Sequence, residues 1–346
     1  MHIDYIEAFF LDAETNELNI VTQAVEIPSY RLYWTYDHDL QTVNKTEIFT
    51  GNEKNTTFNF SYDTNRRQYF IIEFNNGDAY LFGHRILPIA GMYNFRDIGG
   101  YVTKSGKRVL WGLGYRSDYL YNLDDEGLPY LQSLELKTII DFRSPEEVAE
   151  RPNRDIGVRN FVFDPQAHLA KLAGALQVGS SEDDDEIMAR AENEAAGDAE
   201  MILQQETFVS TQASRLAFSN MLHTMADSAA VPVMFHCRGG KDRTGFAAML
   251  LLGLLGVDEK MLVYDYMLTH RAREKKNKLY YESFLAKTGD ADKAKYMFTL
   301  FDVKPTYVEA AIVKIVDEYG SIKAYAQEAL GVSDEEVTQL EEMFLA

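Results

Sequence analysis

Between Val231 and Val257 the chain reads VPVMFHCRGGKDRTGFAAMLLLGLLGV: an apolar run, a polar loop with two adjacent glycines, and a second apolar run. The pattern predicts a buried strand from Val231 to Phe235 that feeds through the loop into an apolar helix. Gly239 and Gly240 let successive backbone N–H groups turn inward without obstruction by Cβ, and the helix sets its positive N-terminal end at the same point. Such a cradle suits a tetrahedral dianion. The same donors favour a thiolate, which makes Cys237 the candidate nucleophile. Arg243, six residues on, can return to the rim and grip two anionic oxygens as a bidentate fork. Thr244 can donate its hydroxyl to the sulfur, and His236 is expected to fix the loop by donating to a backbone carbonyl. Arg238 and Lys241 add positive charge at the rim, where they can contact a second phosphate or a carboxylate on the substrate, and Gly245 ends the loop.

Other phosphate-binding patterns fail. A GxxxxGK[ST] loop would need Gly at 235 and Ser or Thr at 242, where this chain has Phe235 and Asp242; a GxGxxG pattern that starts at Gly112 and Gly114 meets Ser117. With no HExxH and scattered histidines, a metal hydrolase is not expected. The single cysteine excludes an internal disulfide, a CxxC redox pair and a cysteine-relay mechanism. No metal or cofactor is implied.

Elsewhere the chain falls into unlike parts. From Tyr5 to about Ile89, short runs such as YRLYWTY and YFIIEF, rich in aromatic and β-branched residues, alternate with Asn, Asp and Gly. They predict an antiparallel β-sandwich of immunoglobulin or fibronectin type over residues 1–89. After a linker at 86–93, strands alternate with helices, which predicts an α/β domain over 90–346 with a largely parallel sheet flanked by helices. The expected strands are Arg108 to Leu110, Lys137 to Asp141, Asn160 to Phe163 and Val231 to Phe235. Helices are expected at Leu123 to Leu134 and Gln212 to Met225, and after the loop at 258–276, 278–287, 307–319, 321–330 and 334–345. Residues 165–208 form an insertion, read as an acidic helical lid over the site; from Ser180 to Glu206 it has ten acidic residues against one basic.

The net charge of −20, from 54 acidic and 34 basic side chains, argues against nucleic acid as a partner. The loop from His236 to Gly245 is nonetheless locally +2, so an acidic protein can still bind a dianion. The longest apolar run, Phe246 to Val257, has twelve residues, too few to span a bilayer, where a helix needs roughly 20. No export signal is visible in MHIDYIEAFFLDAE, and a cytoplasmic protein is expected.

His236-Cys237-Arg238-Gly239-Gly240-Lys241-Asp242-Arg243-Thr244-Gly245 resembles the HCxxGxxR[ST] signature of cysteine-dependent protein tyrosine phosphatases. Its GKDRTG ending is similar to an atypical bacterial branch that acts on phosphotyrosine and often on phosphoinositides. Asn94-Phe95-Arg96-Asp97-Ile98-Gly99-Gly100-Tyr101, Gly114-Tyr115-Arg116-Ser117, Asp141-Phe142-Arg143 with Glu146 or Glu147, and Asp265-Tyr266 extend the resemblance over residues 90 to 346. It implies a phosphatase fold and a phosphorylated protein or phosphoinositide as substrate. The chemistry expected is two-step transfer through a phosphocysteine at Cys237, with a general acid for the leaving oxygen. Asp242, inside the loop, is the first expectation for the acid. Asp164, which follows a strand in Phe163-Asp164-Pro165 and lies 73 residues before Cys237, is the second. Arg96, Asp97, Arg116, Asp141 and Arg143 read as interior polar anchors. The rival readings are a phosphoinositide-specific lipid phosphatase and a phospho-ligand binder without catalysis.

Overall fold

The computed structural model describes residues 6–12, 17–22, 29–51, 57–60, 62–167 and 191–346. In the N-terminal part the aromatic and β-branched runs form strands β1 (Ile6–Asp12), β2 (Glu17–Thr22), β3 (Tyr30–Thr35), β4 (Thr46–Gly51), β5 (Thr57–Asn59), β6 (Tyr69–Phe74) and β7 (Ala79–Gly83). They make two antiparallel sheets, ordered β1-β2-β5 and β4-β3-β6-β7. The turn between β6 and β7 uses Gly77 at φ +94°, which a residue with a Cβ reaches only under strain. Phe58 and Phe60 share a core with Leu32, Phe70 and Phe82, and Trp111 from the following part of the chain enters the same cluster.

A third, five-stranded sheet carries the site. Strands β8 (Arg96–Asp97), β9 (Gly114–Ser117), β10 (Thr138–Asp141), β11 (Arg159–Val162) and β12 (Val233–His236) lie in the order β11-β10-β12-β9-β8. The first four are parallel, and β8 is antiparallel to β9. All four residues of β12 are buried, as its apolar run requires. His236 pairs in register with Asp141 on one side and Ser117 on the other. The loops after β9, β10 and β12 therefore leave the sheet side by side at its carboxyl end, where open α/β sheets bind ligands.

Helices α1 (Leu128–Gln132), α2 (Pro145–Glu150), α3 (Glu194–Ser210), α4 (Gln212–Ala226), α5 (Asp242–Leu254), α6 (Glu259–Thr288), α7 (Ala291–Phe301), α8 (Pro305–Tyr319), α9 (Ile322–Glu328) and α10 (Asp334–Phe344) complete the described fold. Helix α5 is buried on nearly every side, so its uniform apolarity reflects a central position. No helix among the described residues is long and apolar enough to cross a membrane.

Several boundaries differ from expectation. Arg108 to Leu110 is not a strand of the main sheet: Arg108 and Val109 make isolated bridges to Val102 and Leu345. The helix expected from Leu123 to Leu134 shrinks to α1, because Gly127 and Pro129 confine it to a short start. The two helices expected over 258–287 are the single helix α6, capped by Asp258 and ended by Gly289. Helix α7 was missed, although Ala294, Met297, Leu300 and Phe301 fall on one buried face. Of the insertion at 165–208, residues 168–190 lie outside the described ones; α3 packs against α7 and α8 and buries Met201, Phe208 and Val209.

Candidate active site

Cys237 directly follows the central strand and is buried. The loop turns at Gly240, which has φ +65°. A Cβ there would meet the backbone carbon and oxygen of Ser117 at 2.6 Å, so only glycine fits. Asp242 then opens α5, and the Gly245 amide bonds to the Lys241 carbonyl at 2.7 Å.

The outer side of the loop is held by side chains from distant segments. Asn94 Nδ2 donates to the carbonyls of Gly239 and Gly240 at 3.1 and 2.9 Å. Arg116 Nη2 donates to the Gly240 carbonyl at 3.0 Å, and Arg273 Nη1 to that of Gly239 at 3.1 Å. With those carbonyls engaged outward, the peptide planes are fixed. Arg96 and Arg116 are themselves held by Asp265 on α6, which also accepts from the Tyr101 hydroxyl at 3.1 Å. Burial works against the Asp265 charge, but Arg116 and Arg96 hold its carboxyl below the usual range. Asp265→Asn should therefore leave two buried guanidiniums under-compensated, at a cost of about 3–5 kcal/mol in unfolding free energy, with kcat falling as the loop loosens. Denaturant unfolding and steady-state kinetics check this; unchanged stability would contradict it.

Arg243 is clamped from behind. Its Nη1 and Nη2 donate to Glu147 at 2.6 and 2.9 Å, and Nη1 also reaches the Phe142 carbonyl at 3.0 Å. Burial opposes the Arg243 charge, yet Glu147 raises the pKa, with smaller contributions from Cys237 and Asp164. The same carboxylate caps α2: Glu147 accepts from the Ser144 amide at 2.9 Å while Ser144 Oγ accepts from the Glu147 amide. Arg243 Nε and Thr244 Oγ1 are buried with no hydrogen-bond partner, which leaves donors for an anion in the loop.

His236 is buried, and burial lowers its pKa, which keeps the ring neutral. Its Nδ1 lies 3.0 Å from the Cys237 carbonyl, which can only accept, so Nδ1 carries the proton and Nε2 accepts from Asn153 at 3.0 Å. Arg143 forks onto Asp141 and reaches Asn153, so this chain of bonds ends at the His236 ring.

Lys241 is 5% exposed and does not stand in solvent. Its Nζ donates to the Asp302 carbonyl at 3.0 Å and lies 3.1 Å from Asp242. The Tyr266 hydroxyl reaches the same Asp242 oxygen at 3.5 Å. Asp164 is half-buried, and its Oδ1 accepts from the Gln166 amide at 2.8 Å. Burial raises its pKa, Glu147 and Glu146 add to the shift, and the Gln166 amide and Arg243 oppose it. The structure thus brings both candidate acids into the electrostatic surroundings of the loop. Glu147 and Asp265 are the functional side chains whose partners the sequence did not name. The capping signature Ser144-Pro145-Glu146-Glu147 flags the first; nothing local flags the second.

Residues 87–346 match the model of a tyrosine phosphatase family. A Cupriavidus necator protein, provisionally named a tyrosine-protein phosphatase, is 31% identical over 265 residues, or 76% of this chain and 90% of that one. The triple specificity protein phosphatase PtpB of Mycobacterium tuberculosis is 28% identical over 281 residues, 75% of this chain and 99% of its own. A tyrosine-protein phosphatase of Nostoc commune is 25% identical over 234 residues. A cysteine at the carboxyl end of the central strand, a loop with its carbonyls held outward, an arginine fork clamped from behind and this match across three quarters of the chain agree: the protein belongs to the tyrosine phosphatase family.

Proposed function

We propose that this protein hydrolyses phosphotyrosine in two in-line displacements at Cys237. The observation that carries the reading is the Glu147 clamp, which holds Arg243 over the loop that begins at Cys237 and leaves its Nε free to bond an anion. In the first step the thiolate attacks phosphorus, the bond to the phenolic oxygen breaks, and a carboxylic acid protonates that oxygen. In the second, water attacks phosphorus, the S–P bond breaks and the carboxylate takes the proton, which releases inorganic phosphate. Arg243, Thr244 and the loop amides stabilise the charge on the transferring group.

Asp164 is the acid in this scheme. Asp242 is engaged by Lys241 Nζ at 3.1 Å and by the Tyr266 hydroxyl at 3.5 Å, whereas burial favours the protonated form of Asp164. Asp242 then serves to anchor Lys241. Asp164→Asn should lower kcat about 10²-fold or more on an alkyl phosphate or phosphotyrosine and far less on p-nitrophenyl phosphate, whose leaving group needs no proton. Because the Asp164 pKa is raised, wild-type activity on the poor leaving group should persist to higher pH than an ordinary carboxylic acid allows and fall as pH passes that pKa; the variant should lack this limb. If Asp242→Asn shows the leaving-group dependence instead, the acid is Asp242.

The division into residues 1–89 and 90–346, with an immunoglobulin-like sandwich in the first, is likewise proposed. The family match beginning at residue 87 supports the boundary, and the two antiparallel sheets support the sandwich. A panel of phosphotyrosine peptide, phosphoserine peptide and phosphoinositides tests the substrate range; phosphotyrosine should be turned over fastest.

A further inference from the structure

The chain ahead of residue 87, where the family match begins, sends two buried arginines against the segment that leads to the loop. Arg67, just before β6, is 2% exposed, and its Nη2 lies 2.7 Å from the Asp97 carboxylate. Its guanidinium packs on two rings, 4.6 Å from the centre of Tyr69 on β6 and 5.4 Å from that of Tyr115 on β9. Its backbone amide donates to Ser133 Oγ at 3.0 Å. Arg85 Nη1 donates to the carbonyls of Asp97 and Gly99 at 2.8 and 2.6 Å. In the other direction Trp111 enters the core of the N-terminal strands, 4.3 Å from the Arg85 guanidinium. Asp97 is fully buried, and besides Arg67 it meets the amides of Gly99 and Gly112 at 2.7 and 2.8 Å.

Successive strand residues point to opposite faces of a sheet. Strand β8 is only Arg96 and Asp97, paired with β9 so that Asp97 stands opposite Tyr115 and Arg96 opposite Arg116. One face, Asp97 and Tyr115, meets Arg67. The other, Arg96 and Arg116, meets Asp265 and supports the loop: Arg96 donates to the Asn94 side-chain oxygen, Asn94 holds the carbonyls of Gly239 and Gly240, and Arg116 holds that of Gly240. A strand with two paired residues has little backbone bonding of its own to set its position, so the side chains on its two faces set it. Because the interior is close-packed, a displacement at Asp97 is passed to Arg96 and on to the loop carbonyls. Arg67 also compensates the buried Asp97 charge, which would otherwise be costly to keep there.

We propose that Arg67 is a positioning residue for the reaction at Cys237, so that the N-terminal strands serve the catalytic loop through the Arg67–Asp97 pair. The proposal rests on the phosphatase reading above. It is tested on the full chain with p-nitrophenyl phosphate, below the temperature at which the least stable variant begins to unfold. Arg67→Lys keeps a positive charge but neither the reach to Asp97 nor the flat contact with Tyr115. It should lower kcat about tenfold or more while KM changes by less than about threefold, because a loosened loop loses alignment with the transferring group more than it loses binding of the ground state. A purely structural arginine would leave kcat of the folded fraction unchanged. Asn94→Ala should also lower kcat, and the Arg67→Lys/Asn94→Ala double variant should lose little more than the larger single loss, since both act along one chain of contacts. If Arg67→Lys does not fold, Arg67→Met/Asp97→Asn leaves no unpaired charge in the interior and carries the same reading: a low kcat in that folded protein supports the proposal. Wild-type kcat in either folded variant, or additive losses with Asn94→Ala, overturns it. Failure of the wild-type protein to hydrolyse p-nitrophenyl phosphate at all would instead remove the phosphatase reading, so the two failures are distinct.

Discussion

Cys237→Ser is expected to lower aryl-phosphate hydrolysis at least about 10³-fold while changing folding stability by no more than ~1 kcal/mol. The chemical part follows from the surroundings. A serine hydroxyl needs a base to attack at neutral pH, and the neighbouring His236 cannot serve, because its Nδ1 donates to the Cys237 carbonyl and its Nε2 is engaged by Asn153. The structural part follows from size, since oxygen for sulfur at this buried position makes no clash and leaves the loop carbonyls bonded to Asn94, Arg116 and Arg273. Turnover of p-nitrophenyl phosphate beside a thermal unfolding curve checks both. Loss of activity with loss of fold would show only that the cysteine is structural.

The second large effect is expected at the Arg243–Glu147 pair. Arg243→Lys keeps the charge but not the fork, and should lower kcat/KM by about 10²–10³-fold. Glu147→Gln keeps the shape but removes the charge from a buried pair, at about 3–5 kcal/mol of stability. Glu147 acts through Arg243, so the two changes should be strongly non-additive in a double-mutant cycle, whereas a merely structural glutamate would give additive losses. The pair also sets an acid limit. Burial raises the Glu147 pKa, but Arg243 outweighs this and holds the carboxyl below its usual range. A depressed folded pKa contributes stability that is fully present above the unfolded value of about 4.3 and is lost as pH falls through the folded value. Denaturant unfolding across that acid range should show wild type losing this contribution while Glu147→Gln, with nothing to protonate, loses less.

These effects mark what the sequence could and could not disclose. The strand, loop and helix around Cys237 were legible because each depends on local pattern: an unbroken apolar run, glycine where φ is positive, and a uniformly apolar helix. Asn94, Arg96 and Arg116 were recognisable as a motif, but what they hold was not, since Asn94 meets loop carbonyls 145 and 146 positions away. Glu147 meets Arg243 across 96 positions; its local half, the helix cap, could be read, and its long-range half could not. Lys241 reads from the sequence as a rim charge facing the substrate, because no local rule reveals that the segment after α7 folds back onto it at Asp302. The missed α7 is a different failure. Its apolar spacing was visible, but Gly289 and Asp290, which end one helix and cap the next, look like an ordinary loop.

The central claim is that phosphorus passes through Cys237. The direct measurement is phosphorus NMR, with peptide mapping by mass spectrometry, on enzyme denatured rapidly during turnover of an aryl phosphate in the presence of EDTA. The expected result is a thiophosphate ester on the peptide that contains Cys237, formed in wild type, more abundant in Asp164→Asn on a leaving group that needs no acid, and absent in Cys237→Ser. Full turnover with no phosphorylated cysteine, or phosphate release that continues in Cys237→Ser, would contradict it.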